Sequence, residues 1–550
     1  MDRRFVLAVV LMMLIAVLPS FFVKPAKRPA PPRPAPADTG TVAARPADTA
    51  RVVAPVPGPA ARVPAETVIV SAPLYRYSIS TRGGAIVQGE LPEYRSLAPG
   101  DRGLPVRLVP DGGRLNQLAV AVGRDTLWLA DWDFTPSARR LAVSGPTRLT
   151  LTAERGPVTV ELRYEFWPDD YQIRVSGRVG GLGPAGGHLV IGLGDGLRQT
   201  EADSLGNYYD FALVTKAAKS EQTRFSSLKR DATTTFDGPF EWAAVKSKYF
   251  AAVVLAVDSE TVRLGGATAR PVNADKRRTR AEVRVGLPVP AAGTFAYRLY
   301  LGPMEHPRLA RIGHDLDDIN PYGWAIVRPL IRPVAIAGRW LLVWMHDTLN
   351  LSYGVCLIVF GILIRVVLWP LNQRGMRASL RMQALQPEMQ ALQERYKNDP
   401  QQMQRQLMEL YKKHGVNPFS GCWPVLLPWP ILIALFVVFQ YSIELRGQPF
   451  LWLPDLAQKD PFYVLPIVMG LSMFGVNKVG MQGVPPTPQS KMMLYFLPIM
   501  MTVLFVNFAS GLNLYYTVQN LVSIPQQWYL AQERMKRQPP PAPKPAPAKR

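Results

Sequence analysis

After residue 350 the chain carries five long apolar runs that contain one ionisable side chain in total, and this feature constrains the fold most. The runs are Leu351–Leu371, Phe419–Ser442, Phe462–Asn477, Met492–Phe508 and Gly511–Leu530. A helix rises 1.5 Å per residue, so about 20 apolar residues cross a hydrocarbon core of about 30 Å. We therefore predict that residues 351–530 form a five-span helical membrane domain and that the chain is not one soluble globule.

The N-terminus carries a sixth apolar run, Phe5–Val23, directly behind Arg3 and Arg4. A cleaved signal peptide has a shorter apolar core, about 7–15 residues, that ends in a small-residue cleavage site. We therefore favour an uncleaved transmembrane anchor over residues 1–23, and a cleaved signal remains the alternative. In both cases the next segment is exported. Residues 24–64 are rich in Pro and Ala and predict an extended linker.

Residues 65–305 change to short segments in which apolar and polar side chains alternate. Such segments are Leu74–Ser80, Thr159–Tyr164, Tyr171–Val175 and Tyr249–Val257. Alternation with a period of two, bounded by Gly, Pro and Asp, predicts antiparallel strands in an all-β sandwich.

Residues and motifs typical of catalytic or metal sites are scarce in this β region. Between residues 24 and 305 the only histidine is His188, and no cysteine lies between 24 and 350. This part of the sequence holds neither a nucleophile elbow nor a phosphate-binding loop nor a cysteine-based zinc site. We therefore predict a binding or spacer domain without catalysis, cofactor or metal.

Residues 322–347 mix Trp, Leu, Ile and Val with Arg328, Arg332 and Arg339. This segment is too polar to span hydrocarbon, and its composition is typical of an amphipathic helix that lies at the membrane interface. We predict such a helix immediately before the first of the five spans.

The loops between spans predict the orientation of the chain, because cytoplasmic loops carry an excess of Lys and Arg. Residues 372–418 contain eight such residues, 443–461 contain two against three acids, 478–491 contain two against none, and 531–550 contain six against one. These counts place 372–418, 478–491 and both termini in the cytoplasm. The net charge of +22 is thus partly explained by topology rather than by nucleic-acid binding.

Residues 372–418 also have helical periodicity. Met382, Leu385 and Met389 recur at intervals of three and four residues, and Met403 and Leu407 do so after a turn at 397–401. We predict a helical hairpin whose first helix is kinked or restarted at Pro387. Methionine is flexible and polarizable, so Met382, Met389 and Met403 suit the capture of varied apolar partners. Packing between the two helices is the simpler alternative.

The ionisable side chain within the spans is Arg365, and no Asp or Glu accompanies it there. An intramembrane arginine costs about 2.5–3.5 kcal/mol on insertion scales and is normally paired or hydrated. One interpretation is that Arg365 extends to the cytoplasmic headgroups. The other is a water-filled groove, and it is favoured by a polar stripe at helical spacing on the last span. The stripe consists of Tyr516, Gln519, Asn520, Ser523 and Gln526.

These residues lie within motifs that resemble the YidC/Oxa/Alb family of membrane protein insertases, in the Gram-negative form with a large periplasmic domain. The motifs are Ile364-Arg365, Trp369-Pro370-Leu371, Leu385-Gln386-Pro387, Tyr411-Lys412, Val416-Asn417-Pro418, Gly421-Cys422, Asp460-Pro461-Phe462-Tyr463, Gly511-Leu512, Leu514-Tyr515-Tyr516 and Asn520-Leu521. The β region is similar to the family's periplasmic domain through Ser80-Thr81-Arg82-Gly83-Gly84, Lys248-Tyr249-Phe250 and Leu301-Gly302-Pro303. Pro428 and the long Pro-rich linker depart from the family pattern.

The resemblance implies a multi-domain inner-membrane protein. It combines a polytopic α-helical bundle of six spans, five of them forming the insertase core, with a periplasmic β-supersandwich similar to that of sugar mutarotases. It also implies a hydrophilic groove that is open to cytoplasm and lipid, with its arginine at Arg365. Tyr516, Gln519, Asn520 and Ser523 are the further groove residues we expect.

We therefore expect an insertase and chaperone for newly made membrane proteins, which is not an enzyme and needs no cofactor. Its partners are nascent hydrophobic proteins and the lipid bilayer, with the Sec translocon and the ribosome as further candidates. The ribosome would meet the basic, Pro-rich tail 531–550. One alternative is a secondary transporter, in which an internal repeat in the sequence is typical. The other is an anchored carbohydrate-binding or carbohydrate-active protein, and an active one would need paired carboxylates.

Overall fold

The computed structural model describes residues 65–122, 125–181, 186–203, 207–257, 263–272, 279–320, 328–396, 399–414, 429–483 and 488–537. The chain divides into two units, Met1–Val63 with Pro485–Met492 and Pro64–Val484 with Met493–Arg550. In the first unit the described residues are 488–492. The predicted anchor, residues 24–64, Pro424, Pro428 and the end of the tail lie outside the described residues.

Residues 67–303 form three β-sheets whose strands are numbered along the chain. The first has the order β4 (Pro105–Arg107), β3 (Ile86–Arg95), β2 (Arg76–Ser80), β1 (Thr67–Ser71), β8 (Arg140–Ala142). The second has the order β14 (Ser220–Arg224), β13 (Ala212–Lys216), β16 (Trp242–Lys246), β17 (Phe250–Ala256), β20 (Thr294–Pro303), β11 (Gln172–Val179), β10 (Val158–Phe166), β9 (Thr147–Arg155), β7 (Thr135–Pro136). The third has the order β15 (Thr234–Phe236), β18 (Ala267–Pro271), β19 (Ala281–Val289), β12 (Gly187–Gly192), β5 (Gln117–Val122), β6 (Asp125–Trp128).

All four segments predicted as strands overlap β-strands, namely β2, β10, β11 and β17, so these predictions are confirmed. Alternation explains why. Along β10 the side chains of Val160, Leu162, Tyr164 and Phe166 are buried, whereas Arg163 is exposed. A strand places alternate side chains on opposite faces, so the apolar set lies in the core of the β region.

Buried tyrosine hydroxyls tie the sheets together. Tyr77 donates to the carbonyl of Leu301 at 2.7 Å, and Tyr164 donates to the carbonyl of Gly84 at 2.8 Å. Gly84 has a φ of +67°, which an L side chain rarely adopts, and a Cβ there would lie 2.9 Å from Leu162. The glycine pair of the Ser80–Gly84 motif thus lets the backbone approach the core.

The helices are α1 (His306–Ile312), α2 (Arg328–Leu349), α3 (Tyr353–Ala384), α4 (Gln386–Arg395), α5 (Pro400–Lys413), α6 (Trp429–Tyr441), α7 (Val464–Gly480), α8 (Pro488–Lys491), α9 (Leu497–Phe505) and α10 (Ser510–Arg537), with a π-helix at Met492–Phe496. Short 3-10 helices lie at Leu129–Asp131, Asn207–Asp210, Phe225–Ser227, Leu316–Ile319 and Ile443–Leu445.

Among the described residues, one helical segment is long and apolar enough to cross a membrane, Tyr353–Pro370, with a mean hydropathy of 2.1. Two shorter apolar segments are Val464–Gly480 and Met492–Phe505. The count of six spans therefore stays a prediction.

The helix α3 includes the predicted span from Tyr353 onward and continues through Pro370 to Ala384. Most of the span and the beginning of the first hairpin arm therefore form one helix of 32 residues. The predicted restart at Pro387 is confirmed, because α4 begins at Gln386 and Pro387 occupies its first turn, where the missing N–H costs no helical hydrogen bond. Asp399 then caps α5 by accepting from the backbone N–H groups of Gln401 and Gln402.

The three arginines of α2 are paired with acids of the same chain. Arg328 lies 3.3 Å from Asp318, and Arg332 lies 2.9 Å from Asp317. Arg339 is bonded to both carboxylate oxygens of Glu444 at 2.9 and 3.1 Å. These ion pairs join α2 to the segment after α1 and to the turn after α6.

A buried ion pair joins the loop after α6 to the β region. Arg446 is 4% exposed and lies 2.9 Å from both oxygens of Glu201, which is 7% exposed. The guanidinium also donates to the carbonyls of Arg95 at 2.8 Å and Thr200 at 3.2 Å, and its Cζ lies 5.4 Å from the Phe250 ring centre. Both charges are therefore paired, and the arginine has several acceptors, as burial requires.

We expect Arg446→Ala to destabilise the protein by about 3–5 kcal/mol, because it leaves the Glu201 carboxylate buried without a partner. Removing both charges together, in Arg446→Met with Glu201→Leu, should recover most of that loss. Thermal unfolding of the purified full chain measures both effects.

The matched control is Arg148→Ala, which breaks an exposed 2.7 Å pair with Glu165. It should cost less than about 1 kcal/mol. An Arg446→Ala variant no less stable than this control would show that the buried pair does not hold the two regions together.

Candidate functional site

Arg365 lies on α3 and its side chain points across to α10. Its Nη2 donates to Oε1 of Gln526 at 2.8 Å, and the side-chain amide of Gln526 lies 3.4 Å from the carbonyl of Trp369, one turn further along α3. Gln526 is 1% exposed, and no carboxylate among the described residues lies within ion-pair distance of Arg365. The arginine is therefore held by a neutral amide inside the helical assembly.

Two further members of the polar stripe join α10 to its neighbours. Gln519 donates to the carbonyl of Gly361 on α3 at 2.8 Å. Asn520 faces α7, where it donates to the hydroxyl of Ser472 at 3.0 Å and to the carbonyl of Met469 at 3.3 Å. The stripe thus divides, with glutamines directed at α3 and the asparagine directed at α7.

Tyr516 and Ser523 are placed differently. Tyr516 packs edge-on against Phe505 and Tyr515, with ring centres 5.2 and 5.4 Å away. Ser523 is buried, and its hydroxyl donates to the carbonyl of Gln519, one turn earlier on the same helix. Of the five predicted groove residues, Arg365, Gln519 and Asn520 make polar side-chain contacts between helices among the described residues. The described contacts of Tyr516 are ring contacts, and that of Ser523 lies within α10.

Several buried polar atoms of this region have no hydrogen-bond partner among the described residues. They are Nε of Arg365, the hydroxyl of Tyr516 and Oδ1 of Asn513. Buried polar groups are normally satisfied by protein or water. These three atoms are therefore positions at which water or a polar group of a bound chain would be stabilised.

The outward surfaces of the same helices are apolar and exposed. The exposed large side chains include Ile362, Leu363, Val366 and Val367 on α3, Ile467, Val468 and Leu471 on α7, and Ile499, Val503 and Leu504 on α9. Patches of this kind mark surfaces that contact membranes or apolar partners. The helical assembly thus contains buried polar atoms, such as Nε of Arg365, and presents apolar side chains that suit hydrocarbon on its outside.

The hairpin methionines are partly described. The sulfur of Met389 accepts a hydrogen bond from the Tyr411 hydroxyl at 3.8 Å, so this residue contacts the facing helix α5. Met403 is half-buried, and the side chain of Met382 lies outside the described residues. The described contact of Met389 is the one expected of packing between the arms.

Sequence analysis gave no structural role to the segment before α7, although Asp460 lies in a quoted family motif. In the structure this segment makes hydrogen bonds to the first residues of two helices, α7 and α10. Asp460 is fully buried and accepts from the backbone N–H groups of Phe462 at 3.0 Å and Leu465 at 2.7 Å. Ser510, at the start of α10, donates through its hydroxyl to the carbonyl of Asp455 at 3.1 Å and is also buried. The signal for Asp460 was present, because an Asp directly before an apolar run suits a helix start.

Comparison with known proteins finds relatives that match nearly the whole chain. Two family models match, "60Kd inner membrane protein" over residues 344–538 and "YidC periplasmic domain" over residues 67–333. The membrane protein insertase YidC of Geobacter metallireducens is 32% identical and covers 96% of this chain and 98% of its own length. That of Geotalea daltonii is 30% identical, with coverage of 96% and 99%.

A crystal structure described as an active YidC insertase with its first transmembrane domain resolved is 16% identical to this chain. It covers 84% of this chain and 92% of the other, with a TM-score of 0.34. The family assignment therefore rests on the sequence matches.

Gln526→Leu should destabilise the helical assembly by about 1.5–3 kcal/mol, because Arg365 loses its charge-assisted hydrogen bond while remaining half-buried. Gln526→Glu should keep stability at or above the wild-type level, since it retains an acceptor and adds an opposite charge. Thermal unfolding in detergent compares the two. Equal losses in both variants would mean that Gln526 acts only through its volume.

Proposed function

The chain belongs to the YidC family of membrane protein insertases, and we propose that it passes client segments through a hydrophilic groove built around Arg365. Like its relatives it is an insertase rather than an enzyme, and it acts on newly made membrane proteins in the bacterial inner membrane. The observation that carries the groove proposal is the position of Arg365, which is held by the neutral amide of Gln526 and whose Nε is buried with no hydrogen-bond partner among the described residues.

The driving force comes from the client, since large apolar residues each gain about 0.3–0.6 kcal/mol on insertion. The barrier is the client's polar flank, which must cross hydrocarbon. Arg365, Tyr516, Gln519, Asn520 and Ser523 lower that barrier by keeping water inside the helical assembly and by offering a positive charge to acidic flanks. The apolar segment of the client then moves into lipid along the exposed apolar surfaces of α3, α7 and α9.

The proposed topology has six spans, of which residues 1–23 form the first and residues 351–530 contain the other five. Both termini and the hairpin 372–418 lie in the cytoplasm, and residues 24–64 and 65–305 lie in the periplasm, the latter as a β-supersandwich. Residues 322–347 form an amphipathic helix at the periplasmic membrane surface. The loop charges counted above support this arrangement.

Two further segments contact other macromolecules in this proposal. Met382, Met389 and Met403 of the hairpin capture varied apolar clients, a task that suits flexible thioether side chains. The tail 531–550 carries six Lys or Arg against one acid and contacts ribosomal RNA. The Sec translocon is a further partner in this proposal.

Arg365→Ala should lower the insertion of clients with acidic flanks most, because it removes the positive charge that receives them. Arg365→Lys should retain most activity, since charge matters here more than the planar guanidinium. The measurement is insertion yield into liposomes that contain only this protein, for matched clients that differ in flank charge. Wild-type yields from Arg365→Ala would contradict the groove mechanism while leaving the family assignment intact.

The combined variant Arg365→Ala with Gln519→Leu extends this test. If residual polar residues keep the groove wet in the single variants, the defect of the combination should exceed the sum of the two. Protein levels and unfolding temperatures serve as controls, because Gln519 also bonds Gly361.

The topology is tested with single cysteines in a chain whose Cys356 and Cys422 are replaced by Ser. Ala218→Cys in the β region and Gln402→Cys in the hairpin both occupy exposed positions. On intact spheroplasts an impermeant thiol reagent should label position 218 and not 402, and lysis should make 402 reactive. Labelling of 402 alone before lysis would invert the topology.

A further inference from the structure

An arginine-rich cavity lies in the β region, away from the helical assembly around Arg365. It has a volume of about 480 Å³ and opens between β11, β20 and α1. Its charged lining consists of Arg174, Arg298, Arg308, Arg311, Asp169 and Asp170. Four cations thus face two anions in one concavity.

Two of these arginines lie directly opposite each other on neighbouring strands. Arg174 of β11 pairs with Arg298 of β20 in the antiparallel register. Like charges in directly opposed positions destabilise a sheet. On the other side of β11, Arg174 is opposite Glu165 of β10. Glu165 already accepts a hydrogen bond from Arg148 at 2.7 Å. Arg298 donates to the neutral side-chain carbonyl of Gln172 at 3.3 Å. The register therefore brings two guanidinium groups together at this position.

Two of the remaining charged side chains, those of Arg308 and Asp170, are held by contacts within the chain. Arg308 lies 2.9 Å from Glu305, donates to the carbonyl of Asp169 at 2.9 Å and stacks 4.8 Å from the Tyr171 ring centre. Asp170 accepts from both the backbone N–H and the side-chain amide of Gln172, at 3.2 and 2.6 Å. The cavity is thus preorganised, which lowers the entropy cost of binding a ligand.

We propose that this cavity binds a phosphate group that carries at least two negative charges. Guanidinium groups bond phosphate oxygens in pairs, and several converging arginines match a tetrahedral dianion. Such an anion between Arg174 and Arg298 would interact favourably with both guanidinium groups. The headgroup of a phospholipid and a soluble phosphate compound share this chemistry.

Calorimetric titration of pyrophosphate into the full chain in phosphatidylcholine nanodiscs tests the site. Wild type should bind one equivalent, and Arg174→Gln with Arg298→Gln should weaken binding at least about tenfold. The control is Arg163→Gln, an exposed arginine on β10 paired with Glu161 at 2.6 Å, which should leave affinity unchanged. Absence of saturable binding, or equal affinity in all three proteins, would overturn the proposal.

Thermal unfolding provides a second readout that ordinary surface charge would not reproduce. Without anion, Arg174→Gln should raise the unfolding temperature, because it removes the opposed charge. Pyrophosphate should raise the unfolding temperature of wild type more than that of this variant. A variant that is less stable without anion and gains as much from pyrophosphate as wild type would contradict the site.

The source of the phosphate is assigned by repeating the titration in nanodiscs that contain phosphatidic acid, with phosphatidylglycerol at the same fraction as control. If the ligand is a phospholipid headgroup, pyrophosphate should bind wild type more weakly in nanodiscs with phosphatidic acid than in nanodiscs with phosphatidylglycerol. If the ligand is a soluble phosphate compound, pyrophosphate should have the same affinity in both. Both results support the same cavity.

Discussion

A polar atom buried in hydrocarbon without a hydrogen-bond partner costs several kcal/mol, and the helical part of this chain is organised around that cost. Arg365 of α3 is satisfied in part by Gln526, Gln519 bonds the carbonyl of Gly361, and Asn520 bonds Ser472 on α7. The polar contacts between α10 and its two neighbours therefore hold the helices together. Nε of Arg365 and the Tyr516 hydroxyl have no hydrogen-bond partner in the part of the chain that the structure describes, and in our proposal these atoms keep water in the groove.

Two ion pairs connect the segment after α6 to the rest of the chain. Arg446 meets Glu201 in a buried pair, and Arg339 of α2 meets Glu444 three residues after the end of α6. Phe250, from the Lys248–Phe250 motif, contributes its ring to the Arg446 site. The Arg446–Glu201 pair thus attaches the β region to the loop after α6, and the Arg339–Glu444 pair gives Arg339 of α2 a structural role.

Hydropathy and periodicity predicted much of this architecture. Alternating segments became strands such as β10, Pro387 marked the start of α4, and the residues of the polar stripe lie on one helix, α10. These features are local, because each follows from neighbours within one or two turns or strands. The continuation of α3 past Pro370 was not predicted, since a proline inside a long helix breaks one hydrogen bond and packing decides whether the helix continues.

The sequence by itself determined the family, the division into an alternating β region and apolar helices, and the residue that carries charge into the helical assembly. Only the tertiary structure decided the partners of the charges. Arg446 and Glu201 are 245 residues apart, Arg365 and Gln526 are 161 apart, and Arg174 opposes Arg298 through strand register. Periodicity reports which face of an element is buried, whereas the choice of partner depends on how distant elements pack, and no local pattern encodes that geometry.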